Sequence, residues 1–297
     1  MMTFRTRNLT SLAKVFPDEY PPYMECDNLT ALKNEDCAFQ VAFCADYSDV
    51  RIRHFFVKVE SDLECAPHII ECTPSDLPVY SDHDPYVLRN GEPGLYPDIL
   101  RPIDEETRVF GPAGQWRSLW ISLPGIKTPG KHTVTVKFFH TNGSLVGSAK
   151  VNVDILDAEL PKQELLHTSW FHTDCLSTWY KVEPMSEEYW RITENFARAA
   201  REHGVTLLLT PLFTPPLDTR EGHERPTVQL VDVTVTNGEY SFEFEKLTRW
   251  IEMCHRVGIE YFEMSHLFTQ WGAWHAPKIM ATVDGEYKRI FGWETES

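Results

Sequence analysis

The sequence predicts a multidomain β plus α/β chain: an N-terminal β-sandwich followed by an incomplete (β/α)-barrel of about the first three βα units. Three observations carry this. From Ala38 to Ile155 apolar residues recur at every second position, and proline and glycine punctuate short runs, as connected half-buried strands require. Beyond Leu160-Pro161 the apolar residues recur at helical spacing, and helices alternate with short, continuously apolar runs, the rhythm of parallel strands joined by helical crossovers. The segment after Pro161 is roughly half of the ~250 residues that a closed eight-fold barrel takes. The expected domains are therefore 1–158 for the sandwich and 159–297 for the opening part of a barrel cut off before it closes.

Within the sandwich, Phe39, Val41 and Phe43 alternate with Gln40, Ala42 and Cys44, and Phe55, Val57 and Val59 alternate with His54, Phe56 and Lys58. The clearest hairpin joins Lys131–Phe139 to Ser144–Ile155 through Asn142-Gly143, a pair that readily takes the positive φ angles of a tight turn. Leu77-Pro78, Asn90-Gly91, Pro93-Gly94 and Pro129-Gly130 mark further turns.

In the second domain, Leu165–Phe171 reads as a strand. Ser186 is a good N-cap, Glu187 and Glu188 suit a first helical turn, and Tyr189, Ile192, Phe196, Ala199, Ala200 and His203 share one face up to Gly204. Val205–Leu209 is the next strand. A loop to about Tyr240 holds a hairpin at Asn237-Gly238; a second helix presents Phe244, Leu247, Trp250, Ile251, Cys254 and Val257 and stops at Gly258. Ile259–Ser265 is the third strand, and Thr269–Ser297 is aromatic and Gly-rich with no helical pattern.

Composition narrows the function classes. Hydrophobic residues at 42% against 24% charged make a packed globular chain the expectation. A net charge of −16 repels phosphate backbones and anionic membrane surfaces, so neither nucleic acid nor membrane is an expected partner. The basic N-terminus Met1–Asn8 is not followed by the apolar run of a signal peptide, and no run is long enough to span a bilayer, which points to the cytoplasm. Seven cysteines without a CxxC pair favour reduced thiols, with a Cys65–Cys72 bridge as the alternative left open. The oligomeric state is not legible.

Catalytic groups of such barrels project from strand C-termini. The first strand ends in Trp170-Phe171-His172-Thr173-Asp174, the third in Glu263-Met264-Ser265-His266, followed by a loop with Trp271, Trp274 and His275. Two indoles and an imidazole on one loop suit a sugar, whose C–H face stacks on rings while N–H groups reach its hydroxyls. The competing reading is a hydrophobic plug over the sheet end, and sugar contact is favoured. His172, Asp174, His266 and His275 are also groups from which a metal site is built, but their spacing fits no compact signature such as HExxH, and a structural histidine is the simpler reading for at least one. Glu263 alternates with Phe262 and Met264 and faces the barrel interior, either as a functional acid or as a paired buried carboxylate, the second being favoured. The acid pairs Asp18-Glu19, Glu35-Asp36 and Asp104-Glu105 lie in the sandwich segment and read as solvated surface. GxSxG, P-loop and dinucleotide motifs are missing from the sequence.

Tyr96-Pro97-Asp98-Ile99-Leu100, Trp116–Ile121, Leu160-Pro161, Trp170–Asp174 and Tyr261–His266 through Trp274 together resemble glycoside hydrolase family 123 and its relatives, grouped as domain of unknown function 4091. The likeness spans most of the chain and rests on the order of the motifs. It implies an N-terminal sandwich, a catalytic (β/α)-barrel and usually a further C-terminal portion. It also implies hydrolysis of β-linked N-acetylhexosaminides, N-acetylgalactosamine favoured, with retention through the substrate's acetamido group, no cofactor, and an amino-sugar glycoside as partner. The family's adjacent Asp-Glu pair sits near the end of a later barrel strand. No residue after Ser265 matches it, so no catalytic residue is assigned and the pair is expected beyond Ser297. His172, Asp174, His266, Trp271, Trp274 and His275 remain the sugar-subsite candidates. The alternatives are a non-catalytic carbohydrate-binding protein and a metal-dependent barrel hydrolase.

Overall fold

The computed structural model describes residues 4–45, 54–76, 92–214, 224–268 and 272–295. The turn signals at Leu77-Pro78 and Asn90-Gly91, and Trp271, lie outside them. The chain forms two compact units, Met1–Lys162 and Gln163–Ser297.

The first unit contains β1 (Phe4–Thr10), β2 (Asn28–Lys33), β3 (Cys37–Ala45), β4 (His54–Glu60), β5 (Ala66–Ser75), β6 (Gly94–Pro102), β7 (Val109–Phe110), β8 (Arg117–Leu123), β9 (Gly130–His140) and β10 (Leu145–Glu159). They build two five-stranded sheets, ordered β1-β3-β8-β5-β6 and β2-β10-β9-β4-β7. One core joins Phe39, Val41, Phe43, Leu119 and Ile121 of the first sheet to Phe55, Val57, Val134, Val136, Phe138, Val151 and Val153 of the second. This is the sandwich that the period-two pattern predicts. The β9–β10 hairpin turns at Gly143 with φ 85°. Gly147 admits the Phe4 ring, since a Cβ there would lie 2.3 Å from Phe4 Cδ1.

One expectation is corrected in β3. The strand is buried on both faces, because its Ala42 and Cys44 side packs with Leu9, Ala13, Val15 and Trp116 in a second cluster. Gln40 tolerates this burial by hydrogen bonding: its amide donates to the Ala13 carbonyl at 2.7 Å, and its Oε1 accepts from Ser118 Oγ at 2.9 Å.

The second unit contains β11 (Thr168–Ser169), α1 (Asp174–Tyr180), α2 (Glu187–Glu202), β12 (Leu207–Thr210), β13 (Asp232–Thr236), β14 (Glu239–Glu243), α3 (Glu245–Arg256), β15 (Tyr261–Met264), β16 (Ile279–Val283) and β17 (Glu286–Phe291). A parallel sheet of order β11-β12-β15 packs against α2 and α3 through Tyr189, Trp190, Ala197, Leu208, Trp250, Met253, Cys254 and Ile259. Ser186 caps α2 by accepting from the Tyr189 N–H at 3.2 Å. Gly204 and Gly258 follow the two helices with φ of 90° and 88°. Arg249 of α3 clasps Glu187 of α2 with two bonds of 2.7 and 2.6 Å and lies over the Trp190 ring.

Three features depart from expectation. The first strand shrinks from Leu165–Phe171 to two residues, because it pairs with β12 alone and Leu165 and Leu166 are exposed. The segment from Asp174 begins a short helix, ended by Lys181 at φ 56°, where an extended strand end was read. The tail forms the β16–β17 hairpin, turning at Asp284-Gly285 with φ of 48° and 92°, and joins β13 in a four-stranded sheet of order β14-β13-β16-β17. Among the described residues of the second unit, parallel pairing is confined to β11-β12-β15 and to β13 with β16, and no closed barrel is formed. No described helix is long and apolar enough to cross a membrane. All seven cysteines are free thiols, Cys65 and Cys72 included.

Candidate functional site

Because β11, β12 and β15 run parallel, their C-terminal ends share one edge, with Ser169 opposite Leu208 and Thr210 opposite Met264. The Ser265 N–H bonds the Thr210 carbonyl at 2.9 Å and extends this edge by one residue. The groups singled out from the first and third strand ends emerge here.

Asp174 is buried, and Arg225 grips it with both arms: Nε donates to Oδ2 at 2.8 Å and Nη2 to Oδ1 at 3.2 Å. The pair ties the segment after β11 to the loop after β12. Its carboxylate is committed to a guanidinium and is a strut of the site. Thr173 beside it accepts from the Tyr189 hydroxyl at 2.7 Å. Burial pushes the Tyr189 phenol up to about 12, so it stays a neutral donor. His172 lines a small cleft with Phe171, Thr173, Asp174, Leu209, Pro211 and Val228.

On the other side of the edge, Trp170 and His266 meet nearly at right angles, ring centroids 5.5 Å apart and planes 78° apart. The Trp170 indole donates to Glu263 Oε2 at 2.7 Å, and Thr168 Oγ1 donates to the same oxygen at 3.0 Å. Glu263 is thus a half-buried carboxylate paired with neutral donors. Trp274 is 69% exposed. Its backbone follows Gly272 and Ala273 at φ of 84° and 59°, and a Cβ on Gly272 would sit 2.5 Å from Trp274 Nε1. His275 is half-buried just beyond.

The structure therefore brings His266 to Trp170, whose indole in turn bonds Glu263, and His172 into one cleft wall with Asp174. Among the described residues no three His, Cys, Asp or Glu side chains gather as a metal site requires. Sequence reasoning missed Arg225, which sits in a stretch with no periodicity. It is flanked by Glu224, whose carboxylate is held below the usual range first by the Lys278 hydrogen bond, with Arg289 adding to it. Lys278 also donates to the Arg225 carbonyl at 3.1 Å. Thr168 and Trp170, two positions apart and so on one side of the strand, were likewise missed as a pair.

Comparison with known proteins points first to a class, the glycoside hydrolases. Within that class, the family model described as "Glycoside hydrolase 123, catalytic domain" matches residues 170–297, the part of the chain that holds the later of the ordered motifs. A solved family 123 glycoside hydrolase from Clostridium perfringens, described in connection with glycolipid glycan hydrolysis, superposes with a TM-score of 0.70 at 10% identity, covering 97% of this chain and 52% of that one. The chain thus spans about half the length of that protein. A DUF4466 family protein from Parabacteroides merdae matches with a TM-score of 0.28 at 10% identity, over 50% of this chain and 43% of that one. No curated protein matches the sequence.

Proposed function

We propose that this chain supplies the sandwich and the first barrel strands of a glycoside hydrolase acting on β-linked N-acetylhexosaminides, N-acetylgalactosamine favoured. The observation that carries the reading is a coincidence of position. The family match begins at Trp170 and covers the strand-end groups His172, His266, Trp274 and His275. In this reading those residues, with Trp271, contact the sugar. Asp174 acts through Arg225 and keeps the β11 and β12 loops in register.

The chemistry is retention assisted by the substrate's acetamido group, the exception to the two-carboxylate retaining scheme. One carboxyl group protonates the leaving oxygen, and a neighbouring carboxylate orients and polarises the acetamido group that attacks the anomeric carbon. We assign no residue of 1–297 to either role and place the Asp-Glu pair beyond Ser297.

The test is a version extended through the remaining barrel, assayed on an aryl β-N-acetylgalactosaminide with the anomer of the first product followed by NMR. The β-anomer is expected first. Changing the downstream Asp-Glu pair to Asn-Gln should abolish turnover while leaving the thermal transition nearly unchanged. An inverted first product would sink the mechanism.

A further inference from the structure

We propose that the indole of Trp170 is a fixed platform on which a pyranose ring stacks, and that Glu263 is the positioning residue that fixes it. The inference rests on the carbohydrate reading above and adds to it a contact residue and its support.

Trp170 follows β11 directly and is 44% exposed, a large apolar face left open at the strand C-terminal edge. Its polar end is not left open. The indole N–H reaches Glu263 in β15, spanning β12, which lies between the two strands in the sheet. Thr168 Oγ1 adds a second donor to the same oxygen, so Glu263 Oε2 is held from two positions of one strand face. A hydrogen bond to an ionised acceptor is about twice as strong as a neutral one. The ring is therefore pinned at its N–H while His266 flanks it at 78°.

Merely covering the sheet end would require a buried ring, and this one is half open. A sugar offers the complement: an apolar C–H patch for the ring face and hydroxyls for nearby acceptors. Because the indole is already immobilised, stacking on it costs little further side-chain entropy.

The test uses residues 1–297, methyl β-N-acetylgalactosaminide as probe and the indole N–H resonances of the nine tryptophans, with Trp170 assigned through Trp170→Phe. The Trp170 resonance should move saturably with probe. Trp170→Ala should weaken binding about tenfold. Glu263→Ala should weaken it comparably and shift the Trp170 resonance even without probe, whereas Glu263→Gln, which keeps an acceptor for the indole, should restore affinity to within about threefold. If other indoles respond while Trp170 stays still and Trp170→Ala binds like the parent, the platform is overturned and the carbohydrate reading stands. If no indole responds at saturating probe, the carbohydrate reading falls and the platform falls with it.

Discussion

Replacing Arg225 by Met tests whether the strand-end loops are held as described. The Asp174 and Arg225 side chains are 7% and 13% exposed. Removing the guanidinium while keeping the aliphatic volume strands a carboxylate away from water, and breaking such a buried pair costs about 3–5 kcal/mol. An exposed pair such as Arg191–Glu188, with side chains 62% and 52% accessible, contributes only about 0–1 kcal/mol, so Arg191→Met is the matched control. With a urea m-value of about 2 kcal/mol/M, Arg225→Met should lower the midpoint by about 1.5–2.5 M and the control by less than about 0.5 M. Tryptophan fluorescence is a suitable probe, because Trp116 and Trp120 alone of the tryptophans lie in the first unit. A cycle with Asp174→Asn should show coupling of about 2 kcal/mol. A midpoint for Arg225→Met equal to the control's, with no coupling, would refute the strut.

Two further outcomes follow from burial. Tyr189 has its phenol pushed from 10.0 to about 12, first by desolvation, so the folded state keeps a proton that the unfolded state gives up. Its contribution to stability is complete below about pH 10 and is lost as pH rises towards 12. Tyr189→Phe should be less stable by about 1 kcal/mol at neutral pH and should show a shallower alkaline decline; identical alkaline curves would contradict the assignment. Burial also pushes the Cys254 thiol up to about 12, whereas Cys175 is exposed. Iodoacetamide near pH 8 should modify Cys175 first and leave Cys254 intact until the unit unfolds, and mass mapping of Cys254 adducts on native protein would contradict its packing.

What was legible depended on whether a structure's signal is local in sequence. The sandwich strands announce themselves by alternation, and α2 and α3 by a cap or an apolar face ended by Gly204 and Gly258, because these signals lie within a few residues of what they specify. The β3 strand misled, since the cover over Ala42 and Cys44 comes from Leu9 to Val15, where no periodicity marks it. The tail hairpin carried a local signal in Asp284-Gly285, which the aromatic, glycine-rich composition around it obscured. At the candidate site, strand-end placement singled out Trp170, His172, Asp174, Glu263, His266 and Trp274, but not Arg225 or which of these groups pair across the edge. Arg225 lies 51 residues from Asp174, and Trp170 lies 93 residues from Glu263. Such pairings arise from sheet order, which the sequence of one strand does not encode.

The most direct test of the central claim is the hydrolysis of an aryl β-N-acetylgalactosaminide by residues 1–297 and, alongside, by a longer version carrying the Asp-Glu segment proposed above, each freed of metal. Turnover by the extended chain and none by residues 1–297 is the predicted result. Robust, metal-independent hydrolysis by residues 1–297 alone would contradict the account and turn attention to Glu263 and Asp174 as the acids.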